Sequence, residues 1–469
     1  MALINLPLEV LHQIGSDLSP KDTCSLISTS RRMHSVFQRK LYRNVVLQVV
    51  NPNAPQIFFY TVARNPDLAG YVQSLALASW ETYQDWETDR DPEKTTERPD
   101  FDSGLIRNLV DKTIDYSEEE KKKWLHDLEE FYDDAWLALL IPRLTNLRKL
   151  GLEWPFGSSH VSMMLNKAAI NGGVCLPHLE EVNMCWYDTE SGVASYQMNP
   201  FFKFPSVRKI SGWKVAESAK EDDEEEQEQE EGGEFGLDPN EILSSFSLPP
   251  RCSNVTDIDL SQTNAGEGMR EWIQACKTLK SFRIIHGGAV ISDDYVQPRK
   301  LYNSLSLHKS TLEALWFEHC DYPKGENDDE WMGSFVGFSA LKFIRLSLSN
   351  LVGLNEEGSY ARKISDVIPS SLETLFLDVG SKALFDVVDD LAEIATPRKF
   401  SKLTTLHVET YKIHSMENAA KVAWLQQRCR EVGVACYVHD RDHRDYMEGI
   451  RLRNSLWSEC EAENLDYSN

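Results

Sequence analysis

Along most of this chain apolar residues recur in one short rhythm: an apolar position, two others, a second apolar position, one variable position, and a third. The rhythm appears as VQSLAL (72–77), LRKLGL (147–152), LEEVNM (179–184), VTDIDL (255–260), LKSFRI (279–284), LEALWF (312–317), LKFIRL (341–346), LETLFL (372–377) and LTTLHV (403–408). VRKISG at 207–212 is a degenerate copy. From residue 255 onward the copies start 24 to 33 residues apart, with helical patterns such as LFDVVDDLAEIA (384–395) between them. A unit of one short strand and one helix or loop cannot bury its apolar face alone, so the spacing predicts stacked repeats. The first residues follow another period: Leu6, Val10, Leu11, Ile14 and Leu18, then Leu26, Ile27, Met33, Val36 and Phe37, all at helical spacing. Pro7 suits a first helical turn and Glu9 complements the helix dipole. Ser19-Pro20-Lys21-Asp22 opens a second helix with a cap, a first-turn proline and an acid at the positive end. Thr29-Ser30-Arg31-Arg32 marks a further break. So short a block buries little and is marginal alone, which predicts that it needs a partner.

Read as a whole, LPLEVLHQIGSDLSPKDTCSLISTSRRMHSVFQRKLYRNVVL resembles the F-box over residues 4–47 without a gap. It has the leading Leu-Pro-x-Glu, the helically spaced Ile and Leu, the Pro-x-Asp turn, a Leu-containing helix and a small-residue/Arg segment. It departs from many members at Ser28, Thr29 and Met33, where Val-Cys and a following Trp are common. The resemblance implies docking on the Skp adaptor of a cullin-based, SCF-type ubiquitin ligase. Its implied adaptor-facing or supporting set is Leu6, Pro7, Leu8, Val10, Ile14, Leu18, Leu26 and Ile27. The alternative is that these residues only pack against the following domain. The later rhythm resembles leucine-rich repeats, although the Asn/Cys ladder of the long consensus is mostly absent. The expected fold is therefore α/β, an N-terminal helical F-box followed by an irregular leucine-rich-repeat solenoid with a curved parallel sheet. An open α/β sheet is the competing fold.

On this reading residues 1–47 form the F-box, 48–440 the solenoid, and 441–469 a C-terminal tail or cap. Two insertions interrupt the solenoid. Residues 78–143 combine the polar ETYQDWETDRDPEKTTERPD with helices including EEEKKKWLHDLEEFYDDAWLALL, whose spaced apolar residues predict packing on the repeats. Residues 217–234, ESAKEDDEEEQEQEEGGE, read as a disordered, solvated loop or as an attractor of a basic partner.

A length of 469 residues exceeds one ordinary core, and a net charge of -25 argues against nucleic acid or anionic membrane as a partner. Nothing near Met1 has the order of a signal peptide, and no apolar run reaches the roughly 20 residues that span a bilayer. Nine scattered cysteines read as reduced core residues, which places the protein in cytoplasm or nucleus.

In such repeats the position between the second and third apolar residues faces the open surface of the sheet. Its last five occupants are Arg283, Trp316, Arg345, Phe376 and His407, cations alternating with aromatics. With strands about 4.8 Å apart, this predicts an exposed column for a protein substrate, acidic or phosphorylated, held by guanidinium contacts and stacking. The competing reading is ordinary strand residues covered by a loop or tail. No P-loop, Gly-x-Ser-x-Gly, His-Glu-x-x-His or dinucleotide fingerprint occurs, so no catalytic residue, cofactor or metal is expected. Cys429, Cys436, His439 and His443 have zinc-capable chemistry, but C-x6-C-x2-H-x3-H departs from short-knuckle spacing and Cys436 sits in a closing strand, GVACYV. The expected function is a non-catalytic substrate-recognition adaptor of a ubiquitin ligase. The alternative is a Skp-binding scaffold without ligase activity.

Overall fold

The computed structural model describes residues 3–47, 53–78, 80, 82, 100–113, 116–155, 157–186, 192–217, 247–287, 297–319, 329–355, 359–379, 384–395, 400–411 and 416–440. They divide into two units, one holding the chain to Trp186 with a short return at 203–207, the other holding 192–202 and the residues from 208 onward.

The first unit begins with α1 (Leu8–Ser16), α2 (Pro20–Ile27) and α3 (Arg31–Leu41). Their starts follow cap chemistry: Ser19 accepts from the Asp22 amide at 3.1 Å, and Ser30 from the Met33 amide at 3.2 Å. Among the described residues Leu11, Met33 and Phe37 form the sealed apolar core, against which Leu6, Leu26, Ile27 and Val36 pack from partly buried positions. Gly15 permits the closest approach, since a Cβ there would lie 2.6 Å from the Phe37 ring. Arg32 Nη2 donates to Leu6 O at 2.8 Å and Lys40 Nζ to Leu18 O at 3.0 Å, which ties α3 to both ends of α1.

After the helices come β1 (Asn44–Leu47), α4 (Ala54–Arg64), α5 (Pro66–Ala69) and β2 (Ser74–Leu77). The inserted α6 (Ser103–Asp111), α7 (Glu118–Glu129) and α8 (Asp133–Leu140) lead to β3 (Lys149–Trp154), α9 (His160–Ile170) and β4 (Glu181–Trp186). The insertion is anchored through α8. Trp136 packs edge-on against Phe59 of α4, and Gln56 donates to Asp133 at 2.8 Å. The Asp134 carboxylate accepts the Ser159, His160 and Val161 amides, capping α9 in place of a local side chain. The strands are parallel in the order β1-β2-β3-β4, with Val45, Leu75, Leu150 and Val182 side by side.

In the second unit a two-stranded pair, β5 (Val193–Ala194) and β7 (Val215–Ala216), accompanies the main strands. Those are β6 (Lys209–Trp213), β8 (Asp257–Thr263), β9 (Ser281–His286), β10 (Ala314–His319), β11 (Phe343–Ser347), β12 (Thr374–Asp378), β13 (Thr405–Thr410) and β14 (Ala435–Asp440). They are parallel in that order and put Ile210, Ile258, Phe282, Leu315, Ile344, Leu375 and Leu406 in one buried row. A repeated corner sets the register: Lys280, Glu313, Lys342 and Glu373 each offer one carbonyl to two consecutive amides of the next repeat. Helices α10 (Arg270–Ala275), α11 (Pro298–Leu305), α12 (Leu348–Val352), α13 (Leu384–Ile394) and α14 (Met416–Glu431) lie between strands. Within each unit the alternation is that of an α/β repeat solenoid.

Each of the ten rhythmic segments supplies a strand that starts two residues into the motif. The acidic loop expected at 217–234 is corrected at its first residue. Glu217 is buried, its carboxylate accepting the Glu267 and Met269 amides at 3.0 and 2.9 Å. Burial raises its pKa to about 7 against those hydrogen bonds, which act to lower it. The rest of that loop, the polar stretch 83–99 and the tail 441–469 lie outside the described residues.

Candidate functional site

Two surfaces carry the residues singled out in the sequence. On the N-terminal block, none of the eight proposed adaptor-facing residues is sealed. Pro7, Leu8 and Val10 are exposed, Leu8 to 49%, and Leu6, Ile14, Leu18, Leu26 and Ile27 are half-buried. The cause is geometric: Leu11 and Gly15 take the inward stripe of α1 against α3, which turns Leu8 outward. A cluster of uncovered aliphatic side chains around a three-residue core is chemically suited to packing against another apolar surface.

The second surface is the predicted column. Strand register puts Asp259, Arg283, Trp316, Arg345, Phe376, His407 and Tyr437 side by side across β8 to β14. The guanidinium carbons of Arg283 and Arg345 lie 4.6 and 4.5 Å from the Trp316 ring centre, and that of Arg345 lies 3.7 Å from Phe376. Phe376, His407 and Tyr437 continue as stacked rings, 5.3 and 4.9 Å between centres.

The expected openness of this column is corrected by burial and pairing. Trp316, Arg345 and Phe376 are 7%, 3% and 2% exposed. Arg345 pairs with Glu318 at 3.0 Å and Glu409 at 3.2 Å, and Arg283 with Asp259 at 2.6 Å. Trp316 Nε1 donates to Glu318 at 2.8 Å. These arginines are therefore already neutralised by the protein's own carboxylates. The partners that the sequence reading did not assign to the column are Glu318, Glu409 and Tyr437, together with His439, which it had read only as zinc-capable, and Asp259, which stands one strand before its first arginine. Strand alternation was the available signal, because residues two apart share a face and Glu318, Glu409 and His439 each stand two beyond a column residue.

His439 also answers the zinc question for its own side chain. Its Nε2 meets His407 Nδ1 at 2.9 Å, and its ring stacks on Phe376. Burial, then the neighbouring His439, then Arg345 push the His407 pKa down to about 4, and burial with Arg345 lowers His439. Cys429 and Cys436 hydrogen-bond each other, and that bond together with burial holds the Cys436 thiol well above its ordinary value. His443 lies outside the described residues.

Comparison with known families agrees with this geometry. A family model described as F-box-like matches residues 3–48, and one described as a leucine-rich repeat domain matches residues 249–441. No curated protein matches the chain.

Proposed function

Because the chain is an F-box protein with C-terminal leucine-rich repeats, we propose that it is a substrate-recognition subunit of an SCF-type, cullin-based ubiquitin ligase. The F-box grips a Skp adaptor, and through it a cullin, while the repeats hold a protein client. The chain performs no covalent step; it raises the client's effective concentration beside a ubiquitin-loaded enzyme held elsewhere in the assembly. The working compartment is cytoplasm or nucleus. The observation that carries this reading is the outward set of Pro7, Leu8 and Val10 at the start of α1 beside a sealed apolar core that, among the described residues, is Leu11, Met33 and Phe37.

The test is co-purification of the full chain with a Skp-type adaptor. Leu8→Asp with Val10→Asp places two charges where an apolar partner would sit and should abolish the complex, with the melting temperature nearly unchanged because both positions are exposed. Unaltered adaptor binding by that variant defeats the reading. Adaptor binding without cullin recruitment assigns a scaffold instead.

A further inference from the structure

The column's arginines are paired, but two other arginines have no ion pair among the described residues. Arg299 from α11, Trp331 from the segment before β11 and Arg362 from the segment before β12 meet in the second unit. The Arg362 guanidinium carbon lies 3.6 Å from the Trp331 ring centre, and that of Arg299 lies 5.2 Å from it. Both arginines are exposed, and Trp331 is half-buried.

All three side chains are held in place by backbone. Arg362 Nη1 donates to Val352 O at 3.1 Å, Arg299 Nη1 to Met332 O at 2.9 Å, and Trp331 Nε1 to Leu351 O at 3.2 Å. Arg299 also lies over Tyr302, whose hydroxyl is fixed on Ser334 O at 2.6 Å. The backbone is shaped for this contact. Gly353 has φ +74°, and a Cβ there would stand 2.8 Å from Arg362 Nη1 and 3.0 Å from Trp331 Cβ.

Among the described residues neither guanidinium has a carboxylate at ion-pair distance. Two nearby acids are engaged elsewhere: Glu330 accepts the Arg299 backbone amide at 3.1 Å, and Asp329 accepts the Ser349 hydroxyl at 2.7 Å. A guanidinium has five N–H donors, and one of each is used on a carbonyl. Arg362 further lines a cleft of about 460 Å³ with Ser359, Tyr360, Lys363 and Asp390. In that cleft Lys363 makes an exposed pair with Glu393 at 3.5 Å.

We propose that Arg299, Trp331 and Arg362 form a preorganised oxyanion seat that binds an acidic segment of a client protein, through carboxylate or phosphate groups on that segment. The proposal rests on the client-binding role given above. Fixed donors, stacked on an indole and without a counter-ion among the described residues, bind an anion without first breaking a salt bridge, which is the step Arg345 would require. The net charge of -25 repels highly charged, extended polyanions such as nucleic acid and anionic membrane most strongly, and the client-binding role proposed above makes a short acidic protein segment the ligand.

The test measures binding of full-length protein to fluorescent synthetic peptides by anisotropy at physiological salt. One peptide carries glutamates around a phosphoserine, the second has unmodified serine, and the third has lysines for the glutamates. The first two should bind and the third should not; their order tells phosphate from carboxylate preference. Arg362→Ala should weaken binding roughly tenfold or more. Arg362→Lys keeps the charge but loses the fork and the stack, so it should lie between. Gly353→Ala should weaken binding with no change of charge. Equal binding by Arg362→Ala, binding of the lysine peptide as strong as the acidic ones, or preference for anionic vesicles or RNA over both acidic peptides overturns the seat. Arg299→Gln serves where Arg362→Ala fails to fold. Adaptor co-purification of the same variants separates the two claims. Retained adaptor with no peptide binding by the intact protein defeats the seat alone, and lost adaptor in the intact protein defeats the ligase role alone.

Discussion

The N-terminal block and the β8–β14 column treat their side chains in opposite ways. In the block the sealed apolar cluster is Leu11, Met33 and Phe37, and ordinary aliphatic residues such as Leu8 and Val10 are left in solvent. In the column, Arg345, Trp316 and Phe376, which in sequence resemble recognition residues, are sealed and paired. Residue type is thus a poor guide to a binding surface by itself. What decides is the capacity left over once the fold has taken its share: apolar area for Leu8, hydrogen-bond donors for Arg299 and Arg362, and little of either for Arg345.

The largest expected effect breaks the block. Phe37→Ala removes the ring that fills the contact with Gly15 and should cost about 3–5 kcal/mol. Such a loss exceeds what three small helices hold in reserve, so adaptor binding and protection of the α1–α3 amides in hydrogen exchange should both disappear, while the second unit stays protected. A somewhat smaller effect is expected in the column. Arg345→Met leaves Glu318 and Glu409 without their shared cation and should lower stability in urea melts by about 3 kcal/mol, near the bottom of the range for breaking a buried pair, because Glu318 is still 22% exposed. Peptide binding at Arg299 and Arg362 should survive this change, which separates structural arginines from ligand-facing ones.

The smallest effect is pH-dependent and sharpens the contrast further. His407 in the folded chain stays neutral until the pH nears about 4, whereas its ordinary value is 6.5. Between those values the unfolded chain takes up the proton first, so acidification destabilises the column, by on the order of 1 kcal/mol once solvent screening is allowed for. Glu217 acts with the opposite sign: its pKa, raised from 4.5 to about 7, makes the folded chain the better proton acceptor across that window. His407→Phe should therefore flatten the acid limb of a melting-temperature profile, leaving the Glu217 contribution visible as a gain on acidification from pH 7.

The repeat strands were legible because their signal is local and recurs: three apolar positions in fixed spacing place Leu315, Ile344 and Leu375 in one row without knowledge of any long-range contact. The column's lateral order was legible for the same reason. Its burial was not, since the carboxylates that seal Arg345 come from β10 and β13, and only the folded register brings them to one guanidinium. β1 was hidden because Asn44-Val45-Val46-Leu47 directly follows a helix and reads as part of the helical block. The Arg299–Trp331–Arg362 seat had no sequence signature at all. Its members come from helix α11 and from two separate segments before β11 and β12, and the one local cue, Gly353, is an isolated glycine after an apolar run.

The junction between α3 and β1 has a mechanical consequence. α3 ends at Leu41 and β1 begins at Asn44, so only Tyr42 and Arg43 separate the three N-terminal helices from the first strand, and both are fastened. Tyr42 stacks on Phe58, and Arg43 Nε donates to Gln73 at 2.9 Å. A joint this short transmits torque instead of absorbing it. Whatever surface meets α1 is thereby held at a set angle to β1 and β2, so a push on the helices is felt directly in the first strands.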